Sequence, residues 1–332
     1  MTSPADVSVV VCTYADRRWP QLVEAVSSAQ RQAPAAREVV VVVDHNPGLL
    51  ARVRAELGGV VAVGNREQRG LAGARNTGTA VATSRVVAFL DDDAVAAEGW
   101  LGLLAAPYRS PEVLGVGGRI DPLWAAGRRP RCFPPEFDWV VGCTYTGMPE
   151  RASTVRNLIG ANMSLRRDVL VATGGFRVGM GRVGARPVGC EETELCIRAA
   201  QRFRTGHFVY EPRARVLHRV PPERAGWRYF RARCMAEGYS KALVTGSVGR
   251  GDGLSSEREY ALRALPAGVA RGVGDALRRG DPAGLGRGAA IAAGLALTTA
   301  GYLAGSVAQR LPAGRLPSLT DPVPSTIPRS VA

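Results

Sequence analysis

A chain of 332 residues, 46% of them hydrophobic, is ordinary for a globular protein and can bury a full core, as one large domain with an appendage or as two domains. Its six cysteines include no CxxC and no paired metal spacing, which excludes a thiolate metal frame and reads as reduced thiols in a cytoplasmic protein. The net charge of +14, carried almost wholly by arginine with Lys241 the one lysine, favours anionic partners: nucleotide phosphates, nucleic acid or acidic lipid headgroups.

No secretory leader is expected, because Asp6 interrupts the amino terminus and a strand pattern begins at Val7. Val7 to Thr13 is a short β-branched run, a buried strand, and Leu22, Val26 and Ala29 then keep a helical period. Glu38 to Val43 is a second buried strand, closed by Asp44, and Asn46-Pro47-Gly48 is a turn signal. A helix near 49–57, a strand near 59–64, a helix near 71–83 and a strand from Val86 into Asp91 follow. Strand and helix alternate four times with short connections, which predicts a doubly wound, mostly parallel α/β sheet with helices on both faces.

A helix from Glu98 and a strand from Val113 to Ile120 extend that pattern. Residues 121–157 break it with five prolines among Trp124, Phe133, Phe137 and Trp139, so the aromatics either line an acceptor pocket or pack over the sheet edge. Ile159 to Leu165 is strand-like, 174–189 a glycine-rich loop, Glu191 to Phe203 a helix, and Phe208 to Leu217 a strand interrupted at Pro212. A helix runs from Trp227 to about Val244, ending a first domain at residue 245. Gly246 to Gly253 is a linker, and Ser256 with Glu259 forms a capping box opening a basic amphipathic helix through Leu277. The uncharged span between Arg287 and Arg310 is long enough to cross a bilayer. It is nevertheless rich in Ala, Gly and Thr, and reads as a soluble or membrane-surface helix. Residues 246–311 thus form a carboxyl-terminal helical region, and the Pro-rich 312–332 a disordered tail.

The densest chemical signal is Asp91-Asp92-Asp93 at the end of the fourth strand. Carboxylates at that end of an open α/β sheet stand where ligands bind. Three such charges repel one another unless a cation joins them, and a hard ion such as Mg²⁺ or Mn²⁺ fits, arriving with phosphate oxygens. Around the triplet lie Val7 to Tyr14, the strand ending at Asp44, Arg69 to Gly78, Gly160 to Arg166, and Glu191-Glu192-Thr193-Glu194-Leu195. In this order the motifs resemble family 2 glycosyltransferases of the GT-A fold, over roughly residues 7–245, with the triplet matching the family's DxD element.

The resemblance implies an inverting, metal-dependent hexosyl transfer from a nucleotide-diphosphate sugar to an acceptor hydroxyl, in cell-surface polysaccharide, glycolipid or related synthesis. Thr13, Tyr14 and Asp44 then meet the nucleobase or ribose, together with Asn162 of the Gly160–Arg166 motif. Gly70, Arg75 and Asn76 open a helix at the diphosphate, where small residues and a helix amino terminus suit phosphate. Asp93 is assigned to the metal, Asp91 to the ribose or the metal, and Asp92 to the donor side. His218, beyond the base helix, is the third metal ligand. Glu192 is the catalytic base, with a glutamate where family members usually carry aspartate, and Glu191 is the fallback. Glu194 reads as a surface or bracing residue, and His45 and His207 as structural.

The acceptor is unspecified, with a lipid-linked one reached from the inner face of the plasma membrane in view. A sugar-phosphate nucleotidyltransferase is the first alternative, but Thr13 to Arg18 lacks the glycine-rich loop such enzymes place after their first strand. A nucleic-acid-binding protein is the second, but the basic residues are dispersed, so no nucleic-acid partner is expected.

Overall fold

The computed structural model describes residues 5–178, 189–249 and 260–310. Strands β1 (Ala5–Thr13), β2 (Ala36–Val43), β3 (Val61–Gly64) and β4 (Val86–Asp91) lie where the apolar runs place them. They pair in parallel in the order β3-β2-β1-β4. Helices α1 (Trp19–Gln30), α2 (Pro47–Glu56) and α3 (Leu71–Val81) make the crossovers. Val9, Val40, Val41 and Val87 are fully buried, as central strands covered on both faces require.

Beyond β4 the sheet becomes mixed. The sequence shows no sign of β5 (Ala94–Ala96), whose three residues are too few to display a period. Strands β6 (Val113–Trp124), β7 (Ser153–Val155), β8 (Asn162–Arg166) and β9 (His207–Val220) complete nine. The spatial order is β3-β2-β1-β4-β8-β6-β9-β5, with β7 on β9. β8 runs antiparallel to both β4 and β6, and β5 antiparallel to β9. β6 and β9 are parallel, but their register jumps: Gly118 faces Glu211 while Arg119 faces Arg215. Pro212, which has no N–H to give the ladder, sits in that three-residue bulge. The helix near residue 98 is short, α4 (Trp100–Ala105), and α5 (Arg167–Thr173) follows β8 without a loop.

α6 (Glu191–Arg202) precedes β9, and α7 (Trp227–Val248) follows it. Residues 121–157 both pack and line. Trp124, Phe133 and Phe137 are buried, with ring centroids 5.2 Å apart for Trp124–Phe133 and 5.3 Å for Phe137–Phe230 of α7. A π-helical turn (Tyr260–Ala264) leads into α8 (Leu265–Arg279), and α9 (Ala283–Ala308) returns along α7 and α8. The Ser256–Glu259 capping box and the tail 312–332 lie outside the described residues, as does most of the 174–189 loop.

α9 is the one described helix long and apolar enough to cross a membrane, with mean hydropathy 1.5, and 28% of its apolar window is buried against the protein. Its glycines are the reason it docks. A Cβ on Gly301 would lie 2.1 Å from the Met235 carbonyl oxygen, and one on Gly238 of α7 only 1.9 Å from the Thr298 oxygen. The two backbones therefore touch directly, the close approach that small residues permit. Gly301→Val is expected to cost about 1–3 kcal/mol or more and to expose α9 to protease. An unchanged melting temperature and digestion pattern would contradict this packing.

Candidate active site

The ladder of β5 explains how the acidic triplet meets a histidine. Ala94 pairs with His218 across the β5–β9 ladder, and the Arg219 N–H donates to the Asp93 carbonyl at 2.9 Å. His218 is thereby delivered to the end of β4, its Nε2 3.1 Å from Asp93 Oδ1. Asp91, Asp93 and His218 each present a ligand atom, all within 4.8 Å of one another. Burial raises the Asp93 carboxyl, but the imidazolium of His218 and the guanidinium of Arg18 overcome it and hold Asp93 well below the usual carboxylate range. Two carboxylates and an imidazole form a donor set that suits Mn²⁺ or Mg²⁺.

Asp92 turns to a different task. It accepts from Thr13 Oγ1 at 2.7 Å and from Arg18 Nη1 at 2.5 Å. Burial, only partly offset by Arg18, pushes its carboxyl up to about 6. Thr13 and Asp92 are both buried, and this pair braces β1 to β4. Arg18, which also lies 3.3 Å from Asp93 and stacks near the exposed Tyr14 ring, was invisible in the sequence. It is one of many arginines and has no motif around it.

Asp44 accepts from Asn65 Nδ2 at 2.7 Å and from the Gly70 N–H at 2.9 Å. It thus fixes the loop entering α3, where Gly70 has φ +132°, a conformation L side chains rarely adopt. Asn76 spends both ends of its amide on the Phe176 backbone, at 2.9 and 2.8 Å. In this structure it braces the chain after α5. Asn162 is engaged in the same way. It is fully buried, accepts from Trp100 Nε1 at 2.8 Å, and donates to the Arg119 and Ala214 carbonyls at 2.9 Å each. Those carbonyls flank the β6–β9 bulge, so Asn162 supplies the hydrogen bonds that the broken ladder loses.

Arg75 is the hub. Its buried guanidinium lies 2.9 Å from Glu191 Oε1, 3.1 Å from the Gly160 carbonyl and 3.6 Å from Asp91. Glu191 is buried in that ion pair, while Glu192, next along α6, is half-buried. Burial first, and the Glu191 charge second, push the Glu192 carboxyl up to about 8. Glu194 is fully buried and bridged by Arg198 at 2.7 Å and Arg177 at 2.9 Å, a brace within the fold and not a surface residue. His45 pairs with Asp44 at 2.8 Å.

A cleft of about 1130 Å³ joins these parts. Asp91, His218, Arg75, Glu191 and Glu192 line one side, Trp139 and Tyr145 another. Sequence reasoning missed the remaining wall, in which α7, the 260–265 turn, α8 and α9 all take part. The Tyr260 hydroxyl ties that turn down by donating to the Glu136 carbonyl at 2.5 Å.

A mixed sheet with carboxylates and an imidazole at its carboxyl edge, opening on a deep cleft, defines a GT-A type glycosyltransferase. The glycosyl transferase family 2 model matches residues 8–173. A glucosyl-dolichyl phosphate glucuronosyltransferase of Haloferax volcanii is 38% identical over 243 residues, 72% of this chain and 77% of that one. The chain therefore belongs to glycosyl transferase family 2 and is a glycosyltransferase. That membership displaces the nucleotidyltransferase and nucleic-acid-binding alternatives. Two solved structures share the fold at 18% identity. The mannosyltransferase PcManGT from Pyrobaculum calidifontis, in complex with GDP-Man and Mn²⁺, matches with TM-score 0.54 over 90% of this chain and 88% of that one. GalNAc-T7 with UDP, GalNAc and Mn²⁺ matches with TM-score 0.50 over 76% of this chain, which spans about half (53%) of that enzyme.

Two outcomes follow. Asn162→Ala is expected to cost about 2–3 kcal/mol in stability while leaving donor affinity of the folded protein unchanged. A selective loss of donor binding at full stability would restore Asn162 to the binding site. Glu192 titrates higher folded, at about 8, than its ordinary 4.5. The folded state thus holds the extra proton between those values, and stability falls as pH rises through that window. Glu192→Gln should therefore flatten the decline in melting temperature between pH 5 and 9, and an unaltered slope would place the shift elsewhere.

Proposed function

We propose that the chain moves a sugar from a nucleotide-diphosphate donor to a hydroxyl of a lipid-linked acceptor, by a single inverting displacement. The observation that carries this reading is one shared cleft holding Asp91, His218 and Glu192, with Glu191 neutralised by Arg75. Asp91, Asp93 and His218 would hold a divalent cation, which would supply the positive charge that a departing nucleotide diphosphate requires.

The chain's own groups do the rest. Tyr14, exposed at the end of β1, offers a ring on which a nucleobase can stack. Gly70 at the amino terminus of α3 lets the diphosphate approach backbone. Arg75 holds Asp91 and Glu191 in fixed relation. The carboxylate of Glu192 takes the acceptor hydroxyl proton as that oxygen attacks the anomeric carbon and the bond to the diphosphate breaks. A base titrating near 8 is poised for this work close to neutrality.

The lipid-linked acceptor is supported by the relative's substrate and by the surface beside the cleft. Leu277 is 80% exposed, Leu285 55% and Leu303 59%, and Arg278 and Arg279 close α8. Exposed leucines on α8 and α9, with arginines next to Leu277 in the chain, suit an anionic bilayer surface. We place the enzyme peripherally at the cytoplasmic face of the membrane, consistent with six free thiols.

Glu192→Gln is expected to lower kcat by about 10²–10⁴-fold with the donor Kd unchanged, and Asp93→Ala to abolish metal-dependent donor binding. If Glu191→Gln instead gave the pure kcat loss, the base would be Glu191. In wild type, kcat/KM should rise with pH up to about 8, and a flat profile from 6 to 9 would remove Glu192 from proton transfer. The full chain should co-sediment with phosphatidylglycerol vesicles, and Leu277→Glu with Leu285→Glu should weaken this. Failure of wild type to bind such vesicles would defeat the membrane placement.

A further inference from the structure

We propose that Cys143 is a positioning residue for the cation site: its sulfur accepts the Nδ1–H of His218 and so keeps Nε2 turned toward a bound ion. The inference rests on the cation-assisted glycosyl transfer proposed above. Both side chains are buried, and the His218 ring has a partner at each nitrogen. Nε2 lies 3.1 Å from Asp93 Oδ1. Nδ1 lies 3.8 Å from Cys143 Sγ, within hydrogen-bonding reach of a sulfur. The thiol hydrogen has its own acceptor in the Val141 carbonyl, 3.9 Å from Sγ. A thiol is a weak donor and a weak acceptor. With its hydrogen directed to Val141, the sulfur presents lone pairs to the ring, which makes Nδ1–H the donor.

The backbone around Cys143 fixes where that sulfur sits. The Cys143 N–H donates to the Asp138 carbonyl at 3.0 Å, after a turn in which Gly142 has φ +82°. Thr144 is tied twice to Ile120 of β6: its N–H donates to the Ile120 carbonyl at 3.0 Å, and its Oγ1 accepts from the Ile120 N–H at 2.9 Å. His218 stands on β9, the parallel neighbour of β6, where it pairs with Pro122. A Cβ on Gly142 would lie 3.7 Å from His218 Cε1, so the turn also covers the ring edge between the two nitrogens. Two segments 75 residues apart in the chain thus set the orientation of one imidazole.

A neutral imidazole gives a metal only the nitrogen that carries no hydrogen, and the hydrogen bond at the other nitrogen selects which one that is. An acceptor at Nδ1 leaves the Nε2 lone pair for the ion. Metal-bound histidines usually find a carboxylate, a carbonyl or water in that place. Burial pushes the Cys143 thiol up, against a partial pull from His218, so the group here is neutral. It orients the ring without adding negative charge to a site that already holds Asp91 and Asp93. More of the ion's charge is then left for a diphosphate.

The test measures the cation directly, with the full-length protein and neither donor nor acceptor. The Kd for Mn²⁺, read at one pH from the paramagnetic resonance signal of the free ion, is compared among wild type, Cys143→Val and Cys143→Ser. Cys143→Val fills the same space without an acceptor and is expected to raise Kd about 10–100-fold. Cys143→Ser, whose hydroxyl can accept from Nδ1–H and donate to Val141, should recover most of that loss. A valine variant that binds as tightly as wild type overturns the proposal, because the sulfur is then only filling. An equal loss in the two variants at equal melting temperature overturns it too. A measurement on wild type avoids dependence on either variant's folding. With Mg²⁺ as the ion, nitrogen NMR of the three isotope-labelled histidines should show His218 keeping its hydrogen on Nδ1 while its Nε2 resonance moves. A hydrogen found on Nε2, or no response of His218 to the ion, removes Cys143 from this role. Binding of the ion in the expected way by a protein that moves no sugar would refute the transfer reading and uphold the assignment of Cys143.

Discussion

The site depends on one buried guanidinium. Arg75 reaches the end of β4 at Asp91, the first turn of α6 at Glu191 and the chain before β8 at Gly160. A charge removed from water this completely persists only when acids and carbonyls surround it, and deleting one partner of such a pair costs about 3–5 kcal/mol. The requirement works both ways. Arg75 needs Asp91 and Glu191 at fixed positions, and so it sets the distance between the end of β4 and the helix that carries Glu191 and Glu192. Phe89 and Phe176 flank its guanidinium, with centroids 5.9 and 5.4 Å away, which keeps the hub dry and rigid.

The sheet serves the same end by less direct means. Parallel strands β1 to β4 deliver Thr13 and Asp91 to one edge, side by side through the Cys12–Asp91 register. None of β1 to β4 carries the histidine. It arrives instead on β9, reversed against β5 immediately after the triplet. The bulge at Pro212 lets β9 continue along β6 for its full length while shifting three residues, and the Asn162 amide restores the hydrogen bonds the shift removes. Beyond the bulge, the pairing of β9 with β5 brings His218 to the end of β4.

These cases mark what was legible in the sequence. Apolar runs ending in Asp44 and Asp91 announce central parallel strands and a ligand edge, because burial on both faces and a terminal charge leave a local signature. Glu191 and Glu192 were separable only in part: adjacency and a helix start gave both the same local description, and the choice between them rests on which one Arg75 reaches. Asn162 and Asn76 were read as donor contacts because their motifs surround the site, yet their amides serve backbone groups 43 to 100 residues away in the chain. Arg18 and the wall formed by α7 to α9 had no local signature at all, since a lone arginine or a small-residue helix acquires meaning only from what packs against it.

The charge arrangement also bears on why Glu192 holds a proton more tightly than an ordinary carboxylate. Asp91, Asp92, Asp93 and Glu191 crowd one edge, and each has a cation within reach: Arg75 for Asp91 and Glu191, Arg18 for Asp92, His218 for Asp93. Among the described residues Glu192 has no ion-pair partner within 4 Å, and burial first, then the negative charge of Glu191 beside it, oppose its ionisation, with Arg75 offsetting part of this. Had an arginine reached Glu192 as well, its carboxyl would stay ionised at every physiological pH and would be a poor proton acceptor. The cluster that gathers positive charge beside Asp91 and Glu191 thus leaves Glu192 without a direct ion pair, and burial together with that omission raises its affinity for a proton.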